Sequence, residues 1–544
     1  MNLNFKNQGS TQTGATVGMS AVMAETPNAV PAAEIWDEEH SSSRIAGWLW
    51  VLSLAGFLLS GHGSAASFSS YDGQQKSSPN VTRAGNRTIS ALLVGDIHFD
   101  PFHDPGKVQQ LAVTEVSQWS SILSAPPSPN QEQAFTSLQQ SCDARGVDTP
   151  YALLHSSLQE MRSREPNAKF IVVSGDLIAH LFSCRYAARF PASTPSDYQV
   201  FVAKTIRFVA EQLRASFPGV PVYLALGNND SGCGDYRLDA GSEFLARTGG
   251  IVAEGVPPSD RDHVLTEFAA GGYYSVTMEA PVLDTRLIVI NDLFLSPKYR
   301  TCAGASDSTA STAQMAWLQE QLAQARRLHQ KVWILGHIPP GVDVYSTMAE
   351  LKDFCGDGSP EVFLSSGKLT DLLIEYADVV RLGIFAHSHM DEMHLLEPEG
   401  SSRGASLDHS VAIKLLPSIS PVYGNNPSFT VARVNPSSAV LQNYEVIAAS
   451  NQSGVATSWR EEYSFAGSYH KAQFSPSTVK ELINGFEDDR QATTEASKEY
   501  IRNFYVGDHS LRFSALKPWW PLYVCSLASH TAKGFASCGC SLIK

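Results

Sequence analysis

Six short apolar runs, each closed by polar residues, constrain the fold of this chain more than any other feature: SALLVGDIH, KFIVVSGD, VPVYLALGNND, TRLIVIND, KVWILGH and VVRLGIFAHSH. Short apolar runs bounded by glycine or polar residues read as buried strands. Helical spacing lies between them. In Thr312 to Leu328, Met315, Leu318, Leu322 and Ala325 recur at three- and four-residue steps, with Glu320, Arg326 and Arg327 off that face. Strands alternating with helices predict an α/β fold. The segment VARVNPSSAVLQNYEV, within 430–448, reads as a closing β-hairpin turning at Asn-Pro-Ser.

These runs delimit one large catalytic domain over 89–450, and beyond it 465–544 reads as a helical extension, with helices predicted at Ser477–Phe486 and Ala492–Phe504. Ahead of the domain, residues 1–43 are rich in Ser, Thr, Ala, Gly and Asn without apolar periodicity, and read as disordered or as an over-extended start. Residues 44–66 have the outline of a signal peptide: Arg44, the apolar stretch Ile45–Leu59, then small residues. That stretch is short of the roughly 20 residues that span a bilayer, so export is the expectation and a membrane anchor the alternative. Residues 67–88 form a Ser/Gly/Asn-rich linker.

The chain has 544 residues, 43% of them hydrophobic, with 40 Lys plus Arg against 54 Asp plus Glu for a formal balance of -14. Nothing in that balance advertises the phosphate-neutralising surface of a nucleic-acid binder. Eight cysteines are spread from Cys142 to Cys540 without a paired CxxC metal knuckle. Structural disulfides and free buried thiols both remain open; export would favour bridges, whose connectivity a sequence does not reveal.

The chemistry stands directly after the strands, where open α/β sheets form their ligand sites. Five runs end in metal-ligand residue types: Asp96 with His98, Asp176, Asn228, His337, and His387 with His389. One such residue alone is usually a cap or a satisfied polar group. Five segments together, all with oxygen or nitrogen donors, point to a metal centre. In HSH, residues i and i+2 past a strand end can address two metals separated by roughly 3.5 to 4 Å.

The order DxH, GD, GN, GH and HxH resembles the calcineurin-like metallophosphoesterase superfamily, and its wording is similar to the acid sphingomyelinase-like phosphodiesterases. The resemblance covers residues 90–450. Its closer part rests on GDLIAH, with His180 four residues after Asp176, on GHIPPG (336–341), HSHMDE (387–392) and PSISPVYGNNPSF (417–429), with support from Cys142-Asp143 ahead of Thr149-Pro150 and from AQMAWL (313–318). It implies a four-layer α/β/β/α sandwich and two divalent ions, zinc first, with iron and manganese as alternatives. Asp96, His98 and His389 would hold one ion and Asn228, His337 and His387 the other, with Asp176 bridging. The implied reaction is hydrolysis of a phosphodiester by a metal-activated hydroxide, with sphingomyelin-like phospholipids as substrates by resemblance alone.

One departure stands out. The family's Gly-Asn-His reads here Gly227-Asn228-Asn229-Asp230, removing a histidine expected to touch the phosphate or protonate the leaving group. The candidate catalytic residues are therefore His180, as acid or phosphate contact or else a structural neighbour, and Asn229, which can donate a hydrogen bond but not a proton. Asp230 would serve only if protonated. His103 is a rim or loop-surface residue, and His155 and His394 read as packing groups.

Two rival functions stay open: a phosphomonoesterase, nucleotidase or polyphosphatase on the same metal core, and a catalytically silent metal-bound binding protein. The expected partner is a small-molecule or lipid phosphoester, without nucleic acid. Trp519 and Trp520 are either a patch for transient membrane-surface contact or ordinary packing. Oligomeric state is not legible.

Overall fold

The computed structural model describes residues 88–349, 354–356, 358–507 and 516–543. The disordered start, the signal or anchor, and the linker up to residue 87 lie outside the described residues. Among those described, no helix is long and apolar enough to cross a membrane.

Twelve strands form two six-stranded sheets. One contains β1 (Ile89–Val94), β2 (Ile171–Val173), β3 (Val222–Leu224), β10 (Ser428–Val434), β11 (Leu441–Ala449) and β12 (Trp459–Ser464), in the order β12-β11-β10-β1-β2-β3. The other contains β4 (Tyr274–Thr277), β5 (Thr285–Val289), β6 (Lys331–Leu335), β7 (Val380–Phe385), β8 (Glu392–Leu396) and β9 (Val411–Leu415), in the order β4-β5-β6-β7-β9-β8. All six apolar runs are strands. β1, β2 and β3 are parallel, as are β5, β6 and β7, so their carboxyl ends point the same way within each sheet. The hairpin read at the end of the domain is the antiparallel pair β10–β11, and Asn435 Oδ1 accepts from the amides of Ser437 and Ser438 in its turn.

Side-chain alternation makes the layers. Leu287, Val289, Trp333 and Leu335 belong to the large core between the sheets, shared with Leu93, Val172 and Val431. Their neighbours Ile288, Ile290, Val332 and Ile334 face a second core under helix Thr309–Arg327. Each such aliphatic side chain stabilises the fold by roughly 1.5–3 kcal/mol. The sandwich is thus mixed α/β with helices outside the sheets, as the sequence implied. The helix face is rotated slightly from its sequence reading: Gln314 is buried and Met315 half-buried. The reason is polar. The Gln314 amide accepts from Asn291 N at 2.7 Å and donates to Asn291 O at 3.0 Å, satisfying the backbone just past β5.

The last helices are Pro476–Asp488, Glu495–Phe504, Trp520–Ala528 and Ala532–Ile543. The second starts later than its apolar spacing suggested because the Thr494 side chain caps it, accepting from Ser497 N. Trp520 is fully buried and donates to Asp489 O at 3.0 Å, whereas Trp519 is about half-exposed. All eight cysteines pair: Cys142–Cys184, Cys233–Cys302, Cys355–Cys540 and Cys525–Cys538. Four bridges are the chemistry of an oxidising, extracytoplasmic setting.

Candidate active site

The seven candidate ligands meet where the two sheets bring their strand ends together. Asp96 and His98 follow β1, Asp176 follows β2, Asn228 follows β3, His337 follows β6, and His387 and His389 follow β7. Three overlapping groups have their ligand atoms within 4.8 Å of one another: Asp96, His98 and Asp176; Asp176, His337 and His387; and His98, His180 and His389. Asp176 Oδ2 sits between the halves, 3.4 Å from His98 Nε2 and 3.3 Å from His337 Nε2.

The local backbone explains how they converge. Asp96, His98, Asp176, His387 and His389 all have positive φ, from 44° to 72°, a region costly for residues with a Cβ and concentrated at functional sites. The chain turns there at once rather than running on. Gly227 is required by closeness: a Cβ at that position would lie 2.0 Å from Asp176 Oδ1.

Hydrogen bonds fix the ring orientations. His98 Nδ1 donates to Ile178 O at 2.9 Å and His337 Nδ1 donates to Ser174 O at 2.7 Å, so each Nε2 faces the cluster. Asn228 Nδ2 donates to Asp235 at 2.7 Å, leaving Oδ1 turned inward, 3.1 Å from His337 Nε2. The electrostatics favour a cation. Burial alone would lower the pKa of His98, but Asp176, Asp96 and Asp148 outweigh it and raise it to about 9. Burial likewise opposes the charge on His337, yet Asp176, Asp96 and Asp292 lift it to about 10. His387 and His389 are held well below the ordinary value by burial and by the neighbouring histidines. Two imidazoles kept neutral among buried carboxylates are good ligands for a divalent ion. Asp96 Oδ1 is buried without a hydrogen-bond partner, an orphan that such an ion would satisfy. The residues therefore fit a metal centre.

The other candidates fall into place around it. His180 stacks on His98 with ring centroids 3.9 Å apart, is partly exposed, and donates from Nδ1 to Asp148 Oδ1 at 2.9 Å. Asn229 gives its amide N–H to Asp176 Oδ1 and its Nδ2 to Asp176 Oδ2, at 2.9 and 2.8 Å. Asp230 is buried and accepts from three backbone amides, of Leu177, Ile178 and Gly227; burial and Asp176 push its pKa up to about 7. It ties two site loops together instead of facing substrate. His103 packs its ring 4.8 Å from Phe135, and His155 lies against Tyr151.

Two acids escaped the sequence reading. Asp148 orients His180, and its own ionised form is favoured because His180, His98 and Arg185 overcome the effect of burial. Arg185, fully buried, bridges Asp148 at 3.6 Å and Asp100 at 2.7 Å. Asp292 accepts from His337 N at 2.6 Å. It closes the apolar run TRLIVIND, so the strand-end rule applied to this fourth run as well would have found it. Asp148 directly precedes the Thr149-Pro150 pair, but it follows no apolar run and so carries no strand-end signal. Aromatic rings wall the site: Tyr423, 4.7 Å edge-on to His389, Phe363, 5.7 Å from His387, and Tyr236, whose hydroxyl is 3.2 Å from His387 Nε2.

Two packed sheets with a buried Asp/His cluster at their strand ends define a metallophosphoesterase, a hydrolase class built on a dinuclear metal centre. More narrowly, the chain belongs to the calcineurin-like phosphoesterase family, whose model matches residues 89–391, over half of the chain. Its relatives are acid sphingomyelinase-like. It is 24% identical over 344 residues to "Sphingomyelinase phosphodiesterase C" of Dictyostelium discoideum, covering 61% of this chain and 70% of that protein. It is 24% identical over 370 residues to "Cyclic GMP-AMP phosphodiesterase SMPDL3A" of Rattus norvegicus (66% and 74% covered). It is 23% identical over 372 residues to human "Acid sphingomyelinase-like phosphodiesterase 3b" (65% and 73% covered).

Proposed function

We propose that the chain hydrolyses phosphodiester bonds of a lipid or small-molecule substrate outside the cytoplasm, using two divalent ions, zinc by preference. One observation carries this: oxygen and nitrogen donors from both sheets, most of them buried, cluster on either side of Asp176, whose Oδ2 lies 3.4 Å from His98 Nε2 and 3.3 Å from His337 Nε2. Asp96, His98 and His389 would hold one ion, Asn228, His337 and His387 the other, with Asp176 between. When bound, such ions supply a water acidified toward neutral pH and positive charge for the phosphoryl oxygens.

The protein's own groups do the rest. His180 keeps Nδ1 on Asp148, so its Nε2, on the far side of the ring, is free to hold a proton for the leaving group. Asn229 acts on Asp176, fixing both carboxylate oxygens by donation. Tyr423, packed edge-on to His389, and Phe363 and Tyr236, packed edge-on to His387, would wall the substrate's flanking group. The names of the relatives support diesters such as sphingomyelin or a cyclic dinucleotide.

Metal analysis of purified protein, with bis-nitrophenyl phosphate, nitrophenyl phosphate and a phosphocholine ester assayed before and after chelation, tests this. The expected result is about two ions per chain and chelator-sensitive preference for diesters. Preference for the monoester would move the reading to a phosphomonoesterase. Metal without turnover on any ester would make it a binding protein.

A further inference from the structure

The loop that carries His387 and His389 has both residues in the left-handed region, at φ 72° and 66°. Residues with a Cβ stay there only when their surroundings dictate it. Part of the restraint comes from the catalytic core: His387 N donates to Asp96 Oδ2 at 3.1 Å, and Ser418 N to His389 O at 3.3 Å. Another part comes from the C-terminal helices. Asp391 N donates to Phe504 O at 3.1 Å. One residue on, the buried Glu392 carboxylate, three residues past His389, accepts from the Tyr523 hydroxyl at 2.6 Å. Tyr500 OH lies 2.9 Å from Tyr523 OH. Because the Tyr523 proton is committed to Glu392, Tyr500 donates to Tyr523. A buried chain of hydroxyls thus runs from helix Glu495–Phe504 through helix Trp520–Ala528 to the carboxylate at the end of the metal-ligand loop.

We propose that Tyr523 is a positioning residue for the metal-ligand loop: by holding Glu392, beside the Asp391 backbone tie, it fixes the end of the turn that aims the His387 and His389 imidazoles at the site. This rests on the metal reading above. Groups that orient metal ligands from behind typically change metal affinity 10- to 100-fold when removed, whereas a tie that only glues helices to the domain changes stability and leaves affinity alone.

The test is cobalt titration of the full chain against a competing chelator, following the visible absorption of the bound ion. Tyr523→Phe keeps the ring and loses one hydroxyl. It is expected to weaken binding of at least one ion about 10-fold or more and to alter the cobalt spectrum, while far-ultraviolet circular dichroism stays unchanged. Glu392→Gln, which retains an acceptor oxygen, is expected to lose less than Glu392→Ala. Wild-type affinity and spectrum in folded Tyr523→Phe would overturn the proposal. If that variant does not fold, Glu392→Ala equal to Glu392→Gln and to wild type would overturn it instead. Wild-type chain that binds no cobalt would remove the metal reading and this inference together.

Discussion

The strand-end shelf and the C-terminal helices solve opposite problems in one molecule. On the shelf, five of the seven candidate ligands sit in left-handed backbone, burial and the like-charged Asp176 push the pKa of Asp230 up to about 7, and Asp96 Oδ1 has no hydrogen-bond partner. In the helices, Ser475 and Thr494 cap their segments and Asp489 accepts from both Thr493 and Thr494 amides. Local rules are broken at the ligand turns and kept at these helix starts, as expected where strain serves chemistry. Substitutions should separate the two kinds of position accordingly: at the ligands, activity lost without stability; at a helix cap such as Asp489, the reverse.

The sharpest break of that contrast is Asp176→Asn. Turnover is expected to fall by at least about 10³-fold with loss of bound metal, while the metal-free protein melts only modestly below wild type: Asn can still accept from Asn229 N, but the favourable pairing of the Asp176 carboxylate with His337 and His98 is lost. Kinetics, metal content and a thermal melt together check this, and a large drop in melting temperature would place Asp176 among the structural groups. Asp148→Asn comes next. It weakens the orientation of His180, so hydrolysis of poor leaving groups should slow by about 10²-fold and activated nitrophenyl esters much less. Equal losses on both would take His180 out of the acid role.

Asp489→Ala probes the other region and should be the mildest. Losing a turn-and-cap carboxylate costs about 1 kcal/mol, with kcat and metal affinity unchanged. Its pH signature has a definite sign. Burial opposes ionisation of Asp489, but the bonds from Thr493 and Thr494 overcome it and hold the pKa below the ordinary carboxylate value. Its contribution is therefore present above that ordinary value and is lost as pH falls through the lower folded one. Chemical denaturation of wild type and variant should differ at neutral pH and converge in strong acid.

The same division explains what the sequence made legible. Strand-end positions and the apolar runs behind them are local signals, so all six strands and the seven convergent residues were readable from the chain alone. Asp148 and Tyr523 were not, because their meaning depends on contacts across 32 residues to His180 and 131 residues to Glu392. Gln314 misled for a different reason: an amide reads as solvent-facing until the backbone group it satisfies is known. The role of Asn229 was open because a side chain that could face a phosphate instead donates to its own metal-ligand candidate.

The bridge Cys355–Cys540 joins positions 185 residues apart, and that separation is also a delay. At about 5–20 residues per second of synthesis, Cys540 exists on the order of ten to forty seconds after Cys355. For that interval the Cys355 thiol follows Cys142, Cys184, Cys233 and Cys302 along the growing chain with its true partner not yet made. An oxidant acting at once would trap wrong pairings. Correct maturation in the secretory route then depends on thiol exchange that remains possible until the last helix has arrived, and yield should respond to disulfide-isomerase supply more than to oxidant strength.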